Sequence, residues 1–146
     1  MRGDTLKPAE SLGYMVNCLA RLYARAMGRE MARHGVKVGY VPVLLALWET
    51  EGQTQSELAS RARIEQPTMA ATLTRMERDG LIRRKGDPHD RRATRITLTA
   101  KAHRLREPLT AAGHAINARS VASLKAISPA QFLAALHEVA AALSRD

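Results

Sequence analysis

The chain has 146 residues, 45% hydrophobic and 25% charged, which suits one folded domain or two very small ones with a core that needs no staples. A single cysteine excludes an internal disulfide and fits a reducing, cytoplasmic setting, and the opening "MRGDTLKPAE" lacks the apolar core of a signal peptide. The net charge of +9 argues for a polyanionic partner, nucleic acid before anionic lipid.

Aromatic residues make up only 3% of the chain, while alanine, leucine, methionine and arginine abound, a bias toward helix. From Ala9 to about His34, Leu12, Met15, Val16, Leu19, Leu22, Tyr23, Ala26, Met27 and Met31 recur at helical spacing. Arginines 21, 25, 29 and 33 form a separate stripe, and Gly35 is the expected C-cap. After the short link "VKVGY", Pro42 opens a helix with Val43, Leu44, Leu47 and Trp48 on its apolar face, closed at "ETEGQ" by a glycine. Its apolar run, "YVPVLLALW", is far short of the ~20 residues that span a bilayer.

"TQSE" at 54–57 is a capping box that starts a short helix to about Ala62, with Leu58, Ala59 and Ala62 inward. Gln66-Pro67-Thr68 is a second helix start, with Pro67 expected at the first helical position. Met69, Leu73 and Met76 make its buried stripe, and Gly80 stops it. Two short helices joined by about four residues form a helix-turn-helix pattern. "LIRRK" (81–85) and "TRITL" (94–98) then read as strands, with Ile82, Ile96 and Leu98 inward. Between them lies a loop rich in turn formers: Gly86, Asp87, Pro88 and Asp90. Thr99 caps a helical region to about 126, in which Pro108 is expected to cause a kink or local break. "SPAQ" (128–131) opens a last helix with Phe132, Leu133, Leu136, Val139 and Leu143 along one face.

Charge concentrates in the middle third. Residues 53–101 hold 11 Lys+Arg against 6 Asp+Glu, and 81–95 alone hold 6 against 2. A helix-turn-helix sets its second helix in the major groove, its N-terminal residues against base edges. The expected major-groove set is Gln66, Pro67, Thr68, Thr72 and Arg75: Gln pairs with adenine, Arg with guanine, and Thr meets a thymine methyl. A solvated polar helix face would use the same residue types. The long basic hairpin tip that follows decides between them, because arginine is drawn to the negative potential of the minor groove. Arg63, Arg78, Arg84, Arg91, Arg92 and Arg95 are the expected wing and phosphate contacts. Asp90 is the expected brace, a carboxylate that holds an arginine in one rotamer.

The pattern D-x-R-x-x-x-x-x-L-T is met by Asp90, Arg92, Leu98 and Thr99, after "QPTMAATLTRMERDGLIRR" at 66–84. Together these resemble the MarR family of bacterial winged-helix regulators, over essentially the whole chain. The resemblance implies a mainly α fold with a small β-wing, a winged helix-turn-helix lobe at 40–98, and dimerisation helices at 1–39 and 99–146. It implies a homodimer on a pseudo-palindromic duplex operator, with Arg92 in the minor groove and Asp90 as its brace. It also implies a regulator, in most cases a repressor, released by a small aromatic or phenolic effector, for which Tyr40 and Trp48 are candidate contacts. Trp48 as plain core is the simpler reading.

Other functions find less support. Cys18 has Tyr14 and Tyr23 near it, as in peroxide-sensing relatives, but "VNCLARLY" does not match their motif closely, and a buried, inert thiol is the commoner outcome. Histidines 34, 89, 103, 114 and 137 include no i,i+4 pair, so no metal site is expected. No phosphate-binding glycine loop, H-E-x-x-H or G-x-S-x-G motif is visible, so neither an enzyme nor a cofactor is expected. The alternatives are a redox-sensing regulator using Cys18 and sequence-neutral DNA packaging; the varied recognition stripe argues mildly against the second.

Overall fold

The computed structural model describes residues 5–145, which fall in two compact units, Met1–Ala112 and Gly113–Asp146. Residues 1–4 and 146, the outer ends of the expected dimerisation segments, lie outside the described residues.

The first unit opens with a 3-10 turn at Pro8–Glu10, followed by helix α1 at Leu12–Arg33. The helix starts later than Ala9 because Ser11 takes an extended backbone (φ −90°, ψ 114°) and caps α1, its Oγ accepting from the Tyr14 amide. Gly35 ends α1 in the left-handed conformation (φ 68°), with the Val36 amide donating to Met31 O. Only Met31 of α1 is buried, whereas Leu12, Tyr14, Met15, Val16 and Leu22 are exposed. The link 36–40 contains a 3-10 turn, Val38–Tyr40, that buries Tyr40.

Helix α2 (Val41–Glu49) buries Val43, Leu44, Ala46 and Leu47. Its C-terminal carbonyls are satisfied from beyond the helix: buried Gln53 donates through Nε2 to Ala46 O at 2.9 Å and Thr50 O at 2.6 Å. Helix α3 (Gln55–Ala62) has the complete capping box, with Thr54 Oγ1 accepting from the Glu57 amide and Glu57 Oε2 from the Thr54 amide. Helix α4 (Gln66–Arg78) seats Met69, Leu73 and Met76 fully in the core.

Strands β1 (Ile82–Gly86) and β2 (Thr94–Leu98) pair antiparallel, with Ile82 opposite Leu98 and Gly86 opposite Thr94. Ile82, Ile96 and Leu98 are buried as the alternation requires, and Leu81 joins them. Thr99 links the sheet to the next helix: its Oγ1 donates to Gly80 O at 2.6 Å and accepts from the Ala102 amide.

Helix α5 (Ala100–Val121) continues through Pro108 without a break, which leaves the kink as the form the expectation can take, and stops at Val121 rather than near 126. A proline forfeits one helical hydrogen bond, and here Leu105 and Leu109, on either side of it, are buried in the core. That core joins Met31 to α2, α3, α4 and the hairpin, and to Ala102, Leu105 and Leu109 of α5, so it extends beyond 40–98 on both sides. In the second unit, α6 (Pro129–Leu143) has the expected capping box of Ser128 and Gln131. Leu133, Leu136, Val139 and Leu143 are exposed along it.

Three helices end in the same motif, in which the amide after a left-handed residue reaches back five positions: Val36 to Met31, Ile64 to Ala59, and Leu81 to Met76. Glycine fills the left-handed position at 35 and 80, but α3 ends on Arg63 (φ 53°). A β-carbon there costs about 1 kcal/mol. Arg63→Gly is therefore expected to stabilise the fold by about 1 kcal/mol in urea denaturation; an unchanged or lower midpoint would show that Arg63 has local compensation.

Candidate nucleic-acid interface

The α3–turn–α4 unit presents the N-terminal end of α4 to solvent, with Gln66, Pro67, Thr68 and Arg75 exposed. Glu65 is the N-cap and makes no side-chain cap, which places Pro67 second in the helix, not first. Pro67 has no amide hydrogen, so the free first-turn amides are those of Gln66 and Thr68, at the positive end of the helix dipole. Gln55 Nε2 donates to Gln66 Oε1 at 3.2 Å and orients it. Gln55 escaped the sequence reading because a residue just inside a capping box looks like ordinary helix surface.

Thr72 does not belong to the outward stripe. It is buried at 6% exposure, its Oγ1 meeting Arg75 Nη2 at 3.5 Å. At about 100° per residue it lies midway between Thr68 on the solvent side and Met76 on the core side, and the structure rolls it inward. It can steady Arg75 but is not placed to touch a base.

The cations around this face divide into tethered and free groups. Arg78 Nε lies 3.1 Å from Asp79 Oδ1. Arg84 reaches from β1 to α4, 3.4 Å from Thr74 Oγ1 and 3.7 Å from Glu77 Oε2. Arg63, Arg91 and Arg92 are exposed, and among the described residues none has a carboxylate within ion-pair distance.

The wing is braced differently from the expectation. Asp90 Oδ1 accepts from the Arg92 backbone amide at 2.9 Å, an Asx-type turn, and holds no guanidinium. The carboxylate that holds an arginine is Asp87. Its Oδ2 accepts from Arg95 Nε at 2.8 Å, and its Oδ1 from the His89 amide at 2.8 Å. Arg95 also donates to Gly52 O at 3.1 Å and stands 3.6 Å from Glu57 Oε2. Arg95 is thus committed to anchoring the hairpin rather than being free for a phosphate. The sequence showed Asp87 as a turn former, which concealed its reach across the hairpin to β2.

The candidate effector contacts are both structural here. Tyr40 is buried with its hydroxyl donating to Asp79, and half-buried Trp48 donates through Nε1 to Ala102 O at 3.1 Å. Cys18 is half-buried, with Arg21 Nη2 at 3.4 Å from its sulfur. Among the described residues, no group of three His, Cys, Asp or Glu could hold a metal ion, and no helix is long and apolar enough to cross a membrane.

The amide of His89, then the guanidinium of Arg95, hold the Asp87 carboxyl below its ordinary range, and Asp87 in turn raises Arg95. A depressed carboxyl stabilises the fold above its ordinary pKa, and that contribution is lost as pH falls through the lowered value. Asp87→Asn is accordingly expected to leave a flatter dependence of the urea midpoint on pH below about 4; an unaltered acid limb would remove Asp87 from the anchor.

Residues 41–94, which span α2 to the start of β2, match the MarR family. HTH-type transcriptional regulator TtmR of Methylorubrum extorquens (strain PA1) is 31% identical over 115 residues, covering 79% of this chain. The chain spans only 59% of that relative's length. A MarR family regulator from Listeria monocytogenes, solved with 26mer DNA, superposes with a TM-score of 0.86 at 18% identity, over 93% of this chain and 91% of that one. The PcaV transcriptional regulator of Streptomyces coelicolor, solved with its natural ligand, gives a TM-score of 0.83 at 24% identity, over 95% and 98% of the two chains. With the D-x-R wing, the capped α3 and α4 in one winged helix-turn-helix, residues 41–94 of this chain form a MarR-family DNA-binding fold.

Proposed function

We propose that this protein is a cytoplasmic, sequence-specific double-stranded DNA-binding transcriptional regulator, acting as a repressor that a small aromatic or phenolic effector releases. One observation carries the DNA reading: the exposed stripe of Gln66, Thr68 and Arg75 lies on the same helix-turn-helix and wing as Arg91 and Arg92, whose guanidiniums have no protein partner among the described residues. Gln66, Pro67, Thr68 and Arg75 meet base edges in the major groove. Arg91 and Arg92 enter the minor groove, and Arg63, Arg78 and Arg84 face phosphates. The Listeria structure with DNA supports this reading.

The active unit is a homodimer. The exposed apolar side chains of α1 and, separately, of α6 are the surfaces a second copy would cover. Two-fold symmetry then calls for a pseudo-palindromic operator with half-sites about one helical turn apart. The relative solved with a natural ligand supports effector control. A coupling of about 1–3 kcal/mol between effector and DNA would change affinity about 5- to 150-fold.

Selection of bound duplexes from a random pool, followed by fluorescence anisotropy on the winner and its scrambled version across a salt series, tests the reading. Preference for the selected duplex by about 10³-fold or more is expected; equal binding to both, vanishing with salt, would favour sequence-neutral packaging. Arg92→Ala is expected to weaken the selected duplex sharply while the dimer mass stays the same, and unchanged affinity would refute the wing assignment. Arg75→Ala is expected to cost about 1–3 kcal/mol of discrimination at one operator position; a uniform loss across sequences would make it a phosphate contact. A Cys18→Ser protein is expected to show the wild-type response to peroxide.

A further inference from the structure

The C-terminal end of α4 is fastened by side chains far from it in sequence. Tyr40 Oη donates to Asp79 Oδ2 at 2.6 Å, and the Tyr40 residue is only 2% exposed. The other carboxylate oxygen accepts from Arg78 Nε at 3.1 Å. The main chain of the same turn is held from the start of α5, where Lys101 Nζ donates to Asp79 O at 3.0 Å and the Thr99 amide to Leu81 O at 3.1 Å. At the N-terminal end of α4, Gln55–Gln66 is the one side-chain hydrogen bond to another element among the described residues.

Helix stability does not account for this aspartate. Asp79 is the C-cap of α4, and a negative charge there opposes the helix dipole. A buried tyrosine hydroxyl needs an acceptor, but a backbone carbonyl or a water would serve. The acceptor here is instead the last turn of the helix that carries Gln66, Thr68 and Arg75. That bond is also the leading reason why the Asp79 carboxyl sits below its ordinary range.

We propose that Tyr40 and Asp79 are positioning residues for DNA recognition: they pin the C-terminal end of α4 to the segment that leads from α1, and so fix the angle at which its N-terminal end meets a duplex. This inference rests on α4 being the base-reading helix. Its 13 residues span about 20 Å, so a turn of about 10° at the pinned end carries Thr68 through about 3 Å. That is the length of a hydrogen bond, enough to lose a base contact. Non-specific attraction to phosphates tolerates such a shift, because charge acts without fixed geometry.

The test measures wild type, Tyr40→Phe and Asp79→Ala against two probes, a duplex selected by the wild-type chain from a random pool and its scrambled counterpart. Thermal melts by circular dichroism accompany each protein. Tyr40→Phe keeps the buried ring and removes only the hydroxyl. It is expected to bind the selected duplex at least about tenfold more weakly and the scrambled one within about twofold of wild type. If that variant does not fold, Asp79→Ala, whose side chain is 28% exposed, is read by the ratio of the two affinities, because it also frees Arg78 to attract any duplex: the preference for the selected over the scrambled duplex is expected to fall at least about tenfold. Wild-type affinity for the selected duplex in a folded variant overturns the positioning role and leaves the DNA reading standing. Equal losses on both duplexes also overturn it, because a damaged fold would weaken both. A wild-type chain that selects no sequence overturns the DNA reading and this inference together.

Discussion

A two-stranded hairpin is at best marginally stable in water, and the wing of this protein is such a hairpin. What makes it a dependable element is its attachment to the loop between α2 and α3. The Ile96 amide donates to Gln53 O at 2.8 Å and the Gly52 amide to Ile96 O at 2.9 Å, adding a third rung beside β2. Gly52 reaches that rung at φ 77°, a conformation that a side chain would resist. Glu51 Oε1 accepts from the Leu98 amide at 2.6 Å, and Arg95 joins the same loop to Asp87. Wing, α2 C-terminus and α3 N-terminus therefore converge on residues 51–57.

That convergence ties the wing to the end of α2 and the start of α3 through one loop. The loop that holds β2 also ends α2 through Gln53 and starts α3 through Thr54 and Glu57. Arg95 lies near Glu57, so the capping carboxylate of α3 also faces the wing anchor. Arg63, Arg91 and Arg92, which have no ion pair among the described residues, sit on or beside these tied elements.

Most of the architecture was legible in the sequence because it is written in local chemistry. The capping boxes at 54–57 and 128–131, the glycines at 35 and 80, the apolar stripe of α4 and the alternation around Ile82, Ile96 and Leu98 each follow from a few neighbouring residues. What the sequence concealed depends on contacts between distant segments. Thr72 lies on the border of a helix face, and only the packed core decides which way it turns. Asp87 reads as a turn residue until β2 brings Arg95 beside it, which is why the bracing role fell to Asp90. Tyr40 reads as a ligand contact until the fold sets Asp79 against it. Pro108 reads as a point of kink or break, and the helix, with buried leucines on both sides of it, continues through without a break.

The apolar seat of α4 has a property of its own. Met69 and Met76 supply two of its three fully buried side chains, α1 contributes Met31 to the same core, and Tyr40 is the one buried ring among the described residues. Methionine is unbranched and polarizable, with three rotatable bonds, and refills space that branched or aromatic residues would leave empty. Such a seat holds the helix at its depth while giving little resistance to a small roll about its axis. The polar attachments of α4, Tyr40–Asp79 at one end and Gln55–Gln66 at the other, then act against that roll.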